Sequence, residues 1–463
     1  MGKQLIAFFV LLVGCASSPN RDSASALSAR VQINVKHVSK NEWQANYQLD
    51  RPMKQVIFSG DKPFRGKTFR FADPAFEVRE AGGKEMLSRE DNGAFQSFSF
   101  MFNPYLESPG GAYPFSFSFS DGSLLLNSSY LLLEMESLQP QNISFALESA
   151  EGEEVLINGF STLHWAPEGD YDFAYFFFGP RKPYATDPFT ILADPKVPDW
   201  LTKLSRTSVT EIYKLYEREF RQSPKTALII NFKDIDNKEA NGYGGSAYPG
   251  GILTNISGAE WREPSREFRN RFLSLFAHEG MHRFQGRPKG NFLDRAWLME
   301  GSAVFFAAEI LHRLSIENRT EFLGRLSDSA NKCVIILSQN QMNLKKPTMG
   351  ESFGATYYCG HILHYTTHIA LIPKVAEGMF ALWRKMLEYA QANNGSLEED
   401  YYWEAMTNLS VPTEYANLAR KFISEQHADP RKAITELLQA TGVKFKLRPP
   451  KKKDEHGLQF EFI

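Results

Sequence analysis

Cysteine is nearly absent: 3 in a chain of 463 residues. That count excludes a disulfide scaffold and a four-cysteine structural zinc site. A charge excess of either sign is missing too, with Lys plus Arg at 52, Asp plus Glu at 54 and a formal net charge of -2. A protein that neutralises nucleic-acid phosphates carries a visible basic excess, so no nucleic-acid partner is expected. No apolar run reaches the roughly 18 residues of a membrane span. What the chain does have is large apolar side chains: 43% hydrophobic residues, with 37 Phe. Such a composition can offset the ordering entropy of folding, and the length points to more than one domain.

The first residues read as an address. Met1-Gly2-Lys3-Gln4 is cationic, Leu5 to Val13 is apolar, and Leu12-Val13-Gly14-Cys15 follows. The apolar run is too short to span a bilayer but suits the core of a secretory signal. The segment resembles a bacterial lipoprotein lipobox, which implies cleavage before Cys15 and acylation of its thiol. The resemblance further implies a lipid-bilayer anchor at the bacterial outer membrane, because Ala16 and Ser17 are not the Asp that favours inner-membrane retention. Residues 1–14 are then signal peptide and 15–29, rich in Ser, Ala and Asn, a tether. The remaining cysteines, Cys333 and Cys359, either pair in an oxidising periplasm or stay as separate buried thiols.

Residues 30–182 alternate with period two: Val31, Ile33 and Val35 against Gln32, Asn34 and Lys36, and Phe115, Phe117 and Phe119 against Ser116, Ser118 and Ser120. Short alternating runs divided by Gly, Pro, Asp and Asn predict an antiparallel β-sandwich domain. A proline-rich junction from Pro180 to Pro198 leads into a second domain, 183–463. There the period becomes 3.6, with Leu201, Leu204, Val209, Ile212, Leu215 and Phe220 on one predicted helix face. Residues 183–290 read as mixed α/β, with strands at Thr226–Phe232 and Ile252–Ile256, and 291–463 as helical. The fold class expected is multidomain α+β.

The chemistry concentrates in Ala277-His278-Glu279-Gly280-Met281-His282, an H-E-x-x-H on a helical pattern. Residues four apart stack on one helix face, so both imidazoles can aim at one metal ion. Glu279 lies about 100° round the helix, beside the metal, where it can act as general base. A turn after Gly286-Arg287-Pro288, with Asn291 or Asp294 capping the next helix, would return Trp297-Leu298-Met299-Glu300-Gly301 to the two histidines. Zinc held by His278, His282 and Glu300, one ion per chain, is the expected cofactor.

His278-Glu279-x-x-His282 followed by Trp297-Leu298-Met299-Glu300-Gly301 resembles the gluzincin metallopeptidases, in particular their aminopeptidase-N and glycyl-aminopeptidase branches. That resemblance implies a thermolysin-like, mainly helical catalytic domain with a small sheet, and a peptide or protein substrate. It implies a catalytic Tyr in a Y-x-x-G helix start. Tyr357-Tyr358-Cys359-Gly360 fits, with Tyr357 the first choice and Tyr358 the second. Residues 241–251 read as a glycine-rich loop; within it Gly244 and Gly245 are expected to belong to an edge strand whose backbone pairs with an extended peptide, with Gly244, Gly245, Ser246 and Ala247 the substrate-binding candidates. Aminopeptidase relatives carry a Glu there to grip the free amine; this chain has none, and Glu260 or Glu263 would have to be recruited. Aminopeptidase and endopeptidase activity both remain open. The competing reading is a zinc-binding envelope protein that acts as an interaction or assembly module without catalysis. His361, His364 and His368 read as packed or exposed histidines rather than a second metal site, and Glu309 as a surface acid.

Overall fold

The computed structural model describes residues 30–39, 41–59, 64–104, 114–134, 142–167, 173–180, 184–186, 188–236, 242–288, 292–347, 351–393, 395–449 and 458–463. Cys15 and the tether lie outside the described residues.

The strands of the N-terminal region are β1 Val31–Ser39, β2 Glu42–Met53, β3 Gln55–Phe58, β4 Phe69–Phe71, β5 Phe76–Ala81, β6 Lys84–Arg89, β7 Phe95–Phe102, β8 Ser116–Ser118, β9 Leu124–Asn127, β10 Leu133–Glu134, β11 Ile143–Glu148, β12 Glu154–Ile157, β13 His164–Trp165 and β14 Tyr175–Gly179. They form a six-stranded sheet, β13-β11-β1-β2-β7-β4, and two four-stranded sheets, β10-β3-β6-β5 and β12-β14-β9-β8. The alternation seen in the sequence is real: Val31, Ile33 and Val35 are buried while Gln32 and Lys36 are exposed. The sandwich is not wholly antiparallel, because β1 pairs with β11 in parallel, Val31 opposite Ile143. Period-two patterning sets which face is buried but not the direction of a distant partner strand, so this pairing was not readable in advance.

The third sheet is buried on both faces. Phe176 and Phe178 join the aromatic core of the β-region, whereas Tyr175, Phe177 and Leu125 pack with Leu192, Ile229, Tyr248 and Leu253 of the next sheet. This sheet therefore cements the β-region onto the region that follows.

That region holds β15 Tyr184–Thr186, β16 Phe189–Ala193, β17 Thr226–Lys233, β18 Gly242–Tyr248 and β19 Gly251–Ser257, in the order β15-β16-β17-β19-β18. β17 runs parallel to both its neighbours and is buried along Thr226–Phe232, which explains its unbroken apolar run. β18 pairs antiparallel with β19 and is the outermost strand of this sheet.

After a single turn α1 at Arg65–Thr68, the helices are α2 Asp199–Arg206, α3 Ser208–Phe220, α4 Arg266–His282, α5 Ala296–Arg313, α6 Arg319–Asn340, α7 Gly354–Leu371, α8 Met379–Ala392, α9 Glu399–Asn408, α10 Thr413–Ser424 and α11 Pro430–Ala440. The single helix face expected from Leu201 to Phe220 is two helices, divided at Thr207, where the backbone leaves helical geometry at φ -110° and ψ -88°. Cys333 and Cys359 form a disulfide joining α6 to α7.

Candidate metal centre

Local signals start the site. The Ser265 hydroxyl accepts a hydrogen bond from the Phe268 amide at 3.0 Å, capping α4 before its apolar face begins. Inside α4, Tyr216 donates its hydroxyl proton to the Ala277 carbonyl at 2.9 Å, fixing the turn that carries His278. Past the helix end, Arg283 reaches the carbonyls of Tyr248, at 2.8 Å, and Lys225, at 3.2 Å. The end of β18, the start of β17 and the motif helix are thus held in one register.

The return to Glu300 differs in detail from the sequence expectation. A 3-10 turn, Phe292–Arg295, precedes α5, and the residue before α5 is Arg295, with no side-chain cap. Asp294 sits inside that turn instead of capping the helix; Asn291 lies outside the described residues. α5 nevertheless brings Glu300 onto the two histidines. Glu300 Oε2 is 3.1 Å from His278 Nε2 and 3.5 Å from His282 Nε2. Ligand atoms of His278, His282 and Glu300 all lie within 4.8 Å of one another.

These separations suit a shared ion. Ligands about 2.0–2.1 Å from a tetrahedral zinc stand roughly 3.3 Å apart, and two imidazole nitrogens with one carboxylate are a familiar zinc donor set. The side chains would hold such an ion with no rearrangement of the helices. Their charges also answer one another. Burial alone would lower the His282 imidazole, but the neighbouring Glu300 and Glu279 carboxylates push it up to about 9. Burial likewise raises Glu300, yet His282 and His278 outweigh it and hold that carboxyl well below the usual carboxylate range.

Glu279 stands beside this group, buried, and its Oε2 accepts a hydrogen bond from the Ala247 amide at 2.8 Å. Gly244 and Gly245 lie in the edge strand expected for them, but the strand runs on through Ser246 and Ala247 to Tyr248 where a loop was expected, and it touches the catalytic-base candidate directly. Gly245 has to be small: a Cβ there would meet the Leu253 carbonyl oxygen at 3.0 Å and Glu279 Cγ at 3.3 Å.

Tyr357 lies in the first turn of α7, its ring 5.7 Å from that of His278 and nearly parallel to it. Tyr358 points elsewhere, with the Lys332 ammonium 4.8 Å from its ring centre. Of the two candidates, only Tyr357 is brought to the site. Glu260 and Glu263 are exposed, around a 3-10 turn at Ala259–Arg262, and neither joins the ligand cluster.

His361, His364 and His368 are packed in the core, the first of the two alternatives, each with partners of its own. His361 pairs with Ser329, His364 with the Trp297 carbonyl and Tyr402, and His368 accepts from the Met379 amide. Glu309 is a correction: it is 9% exposed, with Arg313 one turn along supplying a 2.7 Å partner. A partner at i+4 lets an acid go inward, a pairing that helical angle alone does not reveal.

One residue escaped the sequence reading altogether. Gln285 is fully buried; its Oε1 lies 2.6 Å from His282 Nδ1, and its Nε2 donates to the Met299 carbonyl at 2.6 Å and to Ser302 Oγ at 2.8 Å. It fixes His282 through the ring, and it steadies the turn that carries Glu300 through the Met299 carbonyl on one side and the Ser302 side chain on the other. The only advance signal was a polar residue just past the motif, beside the loop glycine Gly286.

No family model and no curated protein sequence matches the chain. Solved structures do. An aminopeptidase N family protein from Idiomarina loihiensis superposes with a TM-score of 0.68 at 12% identity, covering 92% of this chain and 80% of that one. Yeast LTA4 hydrolase gives 0.52 at 12% identity, covering 90% and 71%. An M1 zinc metallopeptidase from Deinococcus radiodurans gives 0.51 at 12% identity, covering 87% and 94%. The chain has the architecture of these structures: a sheet-rich N-terminal region followed by a helical C-terminal one.

Proposed function

We propose that this protein is a zinc-dependent peptidase that hydrolyses peptide bonds, held at a bacterial cell envelope by an acylated Cys15. The observation that carries the catalytic reading is the meeting of four elements at one point: His278 and His282 from α4, Glu300 from α5, Tyr357 from α7, and the β18 amide on Glu279. Two similar structures, an aminopeptidase N family protein and a zinc metallopeptidase, support it.

His278, His282 and Glu300 would hold the ion. Bound there, zinc supplies an acidified water and polarises the scissile carbonyl. Glu279 takes the proton of the attacking water. Its Oε2 is committed to the Ala247 amide, which leaves Oε1 as the accepting atom and keeps the carboxylate from swinging onto the metal ligands. The Tyr357 phenol donates a hydrogen bond to the oxygen that gains charge as the carbonyl is attacked. β18 presents backbone groups along its outer edge, so an extended peptide can add to the sheet as a further strand.

The test is zinc content and turnover on the same preparations. Glu279→Gln should keep one zinc and lose about 10²–10⁴-fold in turnover, the usual contribution of a positioned base. His278→Ala should lose the zinc itself. Glu279→Gln with wild-type turnover would remove the catalytic reading and favour a non-catalytic zinc module. For the anchor, Cys15→Ser should release the protein from membranes; unchanged membrane association would count against acylation.

A further inference from the structure

The peptidase reading lays the substrate along the outer edge of β18, and that edge carries a second feature at a distance from the chemistry. β18 and α4 run in step. Residues two apart on a strand face the same way about 6.8 Å apart, and residues four apart on a helix stack about 6 Å apart. Ala247 meets Glu279 through its amide. Gly245 faces both Leu275 and Glu279, each with an atom 3.3 Å from where a Cβ would stand. The next rung is Tyr243 against Arg271, whose guanidinium carbon lies 5.5 Å from the ring centre.

Tyr243 is 47% exposed, the most exposed aromatic side chain among the described residues. It is nevertheless held in place. Trp261 lies 5.9 Å from it, ring centre to ring centre, and Arg271 covers it from the helix side. A lone exposed apolar residue signifies little. This one is propped from behind, on the strand where a peptide would pair. Arg271 is already met by Glu267 at 2.5 Å, so the patch seeks apolar surface rather than an anion.

We propose that Tyr243, propped by Trp261 and Arg271, is a side-chain subsite that takes an aromatic or large apolar residue about four positions from the scissile bond. The spacing follows from the strand: four residues separate Tyr243 from Ala247, about 13 Å of extended chain. The proposal rests on the peptidase reading and narrows it, since only an extended polypeptide segment spans both points. A dipeptide cannot.

The experiment compares ten-residue peptides that carry Phe or Ala at successive positions on either side of one cleavable bond. With the full-length protein, Phe about four residues from the cut, on one side only, should raise kcat/KM about tenfold over Ala, expressed mainly in KM. In Tyr243→Ala that Phe/Ala ratio should fall to about one; Tyr243→Phe should restore it. The same ratio read as binding affinity in the Glu279→Gln background keeps the test open if Tyr243→Ala turns over slowly. Cleavage with no positional preference, or a preference unchanged in Tyr243→Ala, overturns the subsite alone. Wild-type protein that cleaves none of the peptides overturns the peptidase reading along with it.

Discussion

Gly301 and Gly360 touch backbone to backbone: a Cβ on Gly301 would lie 2.5 Å from the Gly360 Cα, and one on Gly360 would lie 2.6 Å from the Gly301 Cα. Each glycine follows a site residue closely on its own helix, Glu300 on α5 and Tyr357 on α7. The contact therefore sets how near the Glu300 carboxylate and the Tyr357 phenol come to His278. Gly301→Ala should destabilise the fold by about 1–3 kcal/mol, the usual cost of overpacking, and should weaken zinc binding as the two helices part. Thermal unfolding and chelator competition on the same protein check both. A variant with lowered stability but unchanged zinc affinity would mean that the crossing is structural only.

Gln285 leads to a separate expectation about the metal. A hydrogen bond to the far nitrogen of a ligating histidine fixes its ring and tautomer, and losing such a partner commonly weakens metal binding 10–100-fold. Gln285→Leu should fall in that range. Gln285→Glu, which keeps an acceptor opposite His282 Nδ1, should lose less. Equal zinc affinity in wild type and Gln285→Leu would show that packing around His282 suffices without the hydrogen bond.

These two contacts mark the limit of what the sequence disclosed. His278, Glu279 and His282 were readable because helix geometry alone brings them together. Glu300 was readable because Trp297-Leu298-Met299-Glu300-Gly301, on the helix that follows theirs, resembles a known ligand pattern. Gly301 against Gly360, Gln285 between two helices and the parallel β1–β11 pair are fixed by how distant segments pack. No local period records that. The disulfide belongs with them, since two cysteines in a chain carry no information about their distance. Glu309 went inward for the same kind of reason, its burial depending on a partner rather than on a pattern.

Acid stability follows from the histidine-lined core behind the site. Burial pushes His361 and His364 down to about 3, and it lowers His368 as well. In the unfolded chain each titrates near 6.5, so between pH 6.5 and 3 the unfolded state binds more protons. The stability contributed by these histidines is therefore complete above pH 6.5 and declines as pH falls, by about 1.4 kcal/mol per pH unit toward pH 3 for His361 and His364 each. With chelator present to exclude metal release, the melting temperature should drop steeply below pH 6.5, and His361→Gln should drop less steeply. Parallel curves for the two proteins would show that His361 is not among the groups responsible.

The end of the substrate that is read is the sharpest expectation. Gripping a free ammonium in a desolvated site needs a carboxylate, because an unpaired buried charge costs several kcal/mol. At Ala247 the edge strand offers a methyl group, and the neighbouring Ser246 is buried. Among the described residues, the two carboxylates at the centre are already engaged, Glu279 with the Ala247 amide and Glu300 with the histidines. Glu260 and Glu263 are exposed on either side of Trp261, which packs on Tyr243 at the opposite end of β18. That end of the strand is about 13 Å of extended chain from Ala247, and neither acid joins the group formed by His278, His282 and Glu300. N-acetylated or internal peptide bonds should therefore be cut at least as well as bonds beside a free N-terminus. Paired kinetics on a peptide and its N-acetyl form decide the matter. A fall in kcat/KM of a hundredfold or more on acetylation, about 2.7 kcal/mol of transition-state binding, would mean that a carboxylate does reach the amine and that the protein trims from the N-terminus.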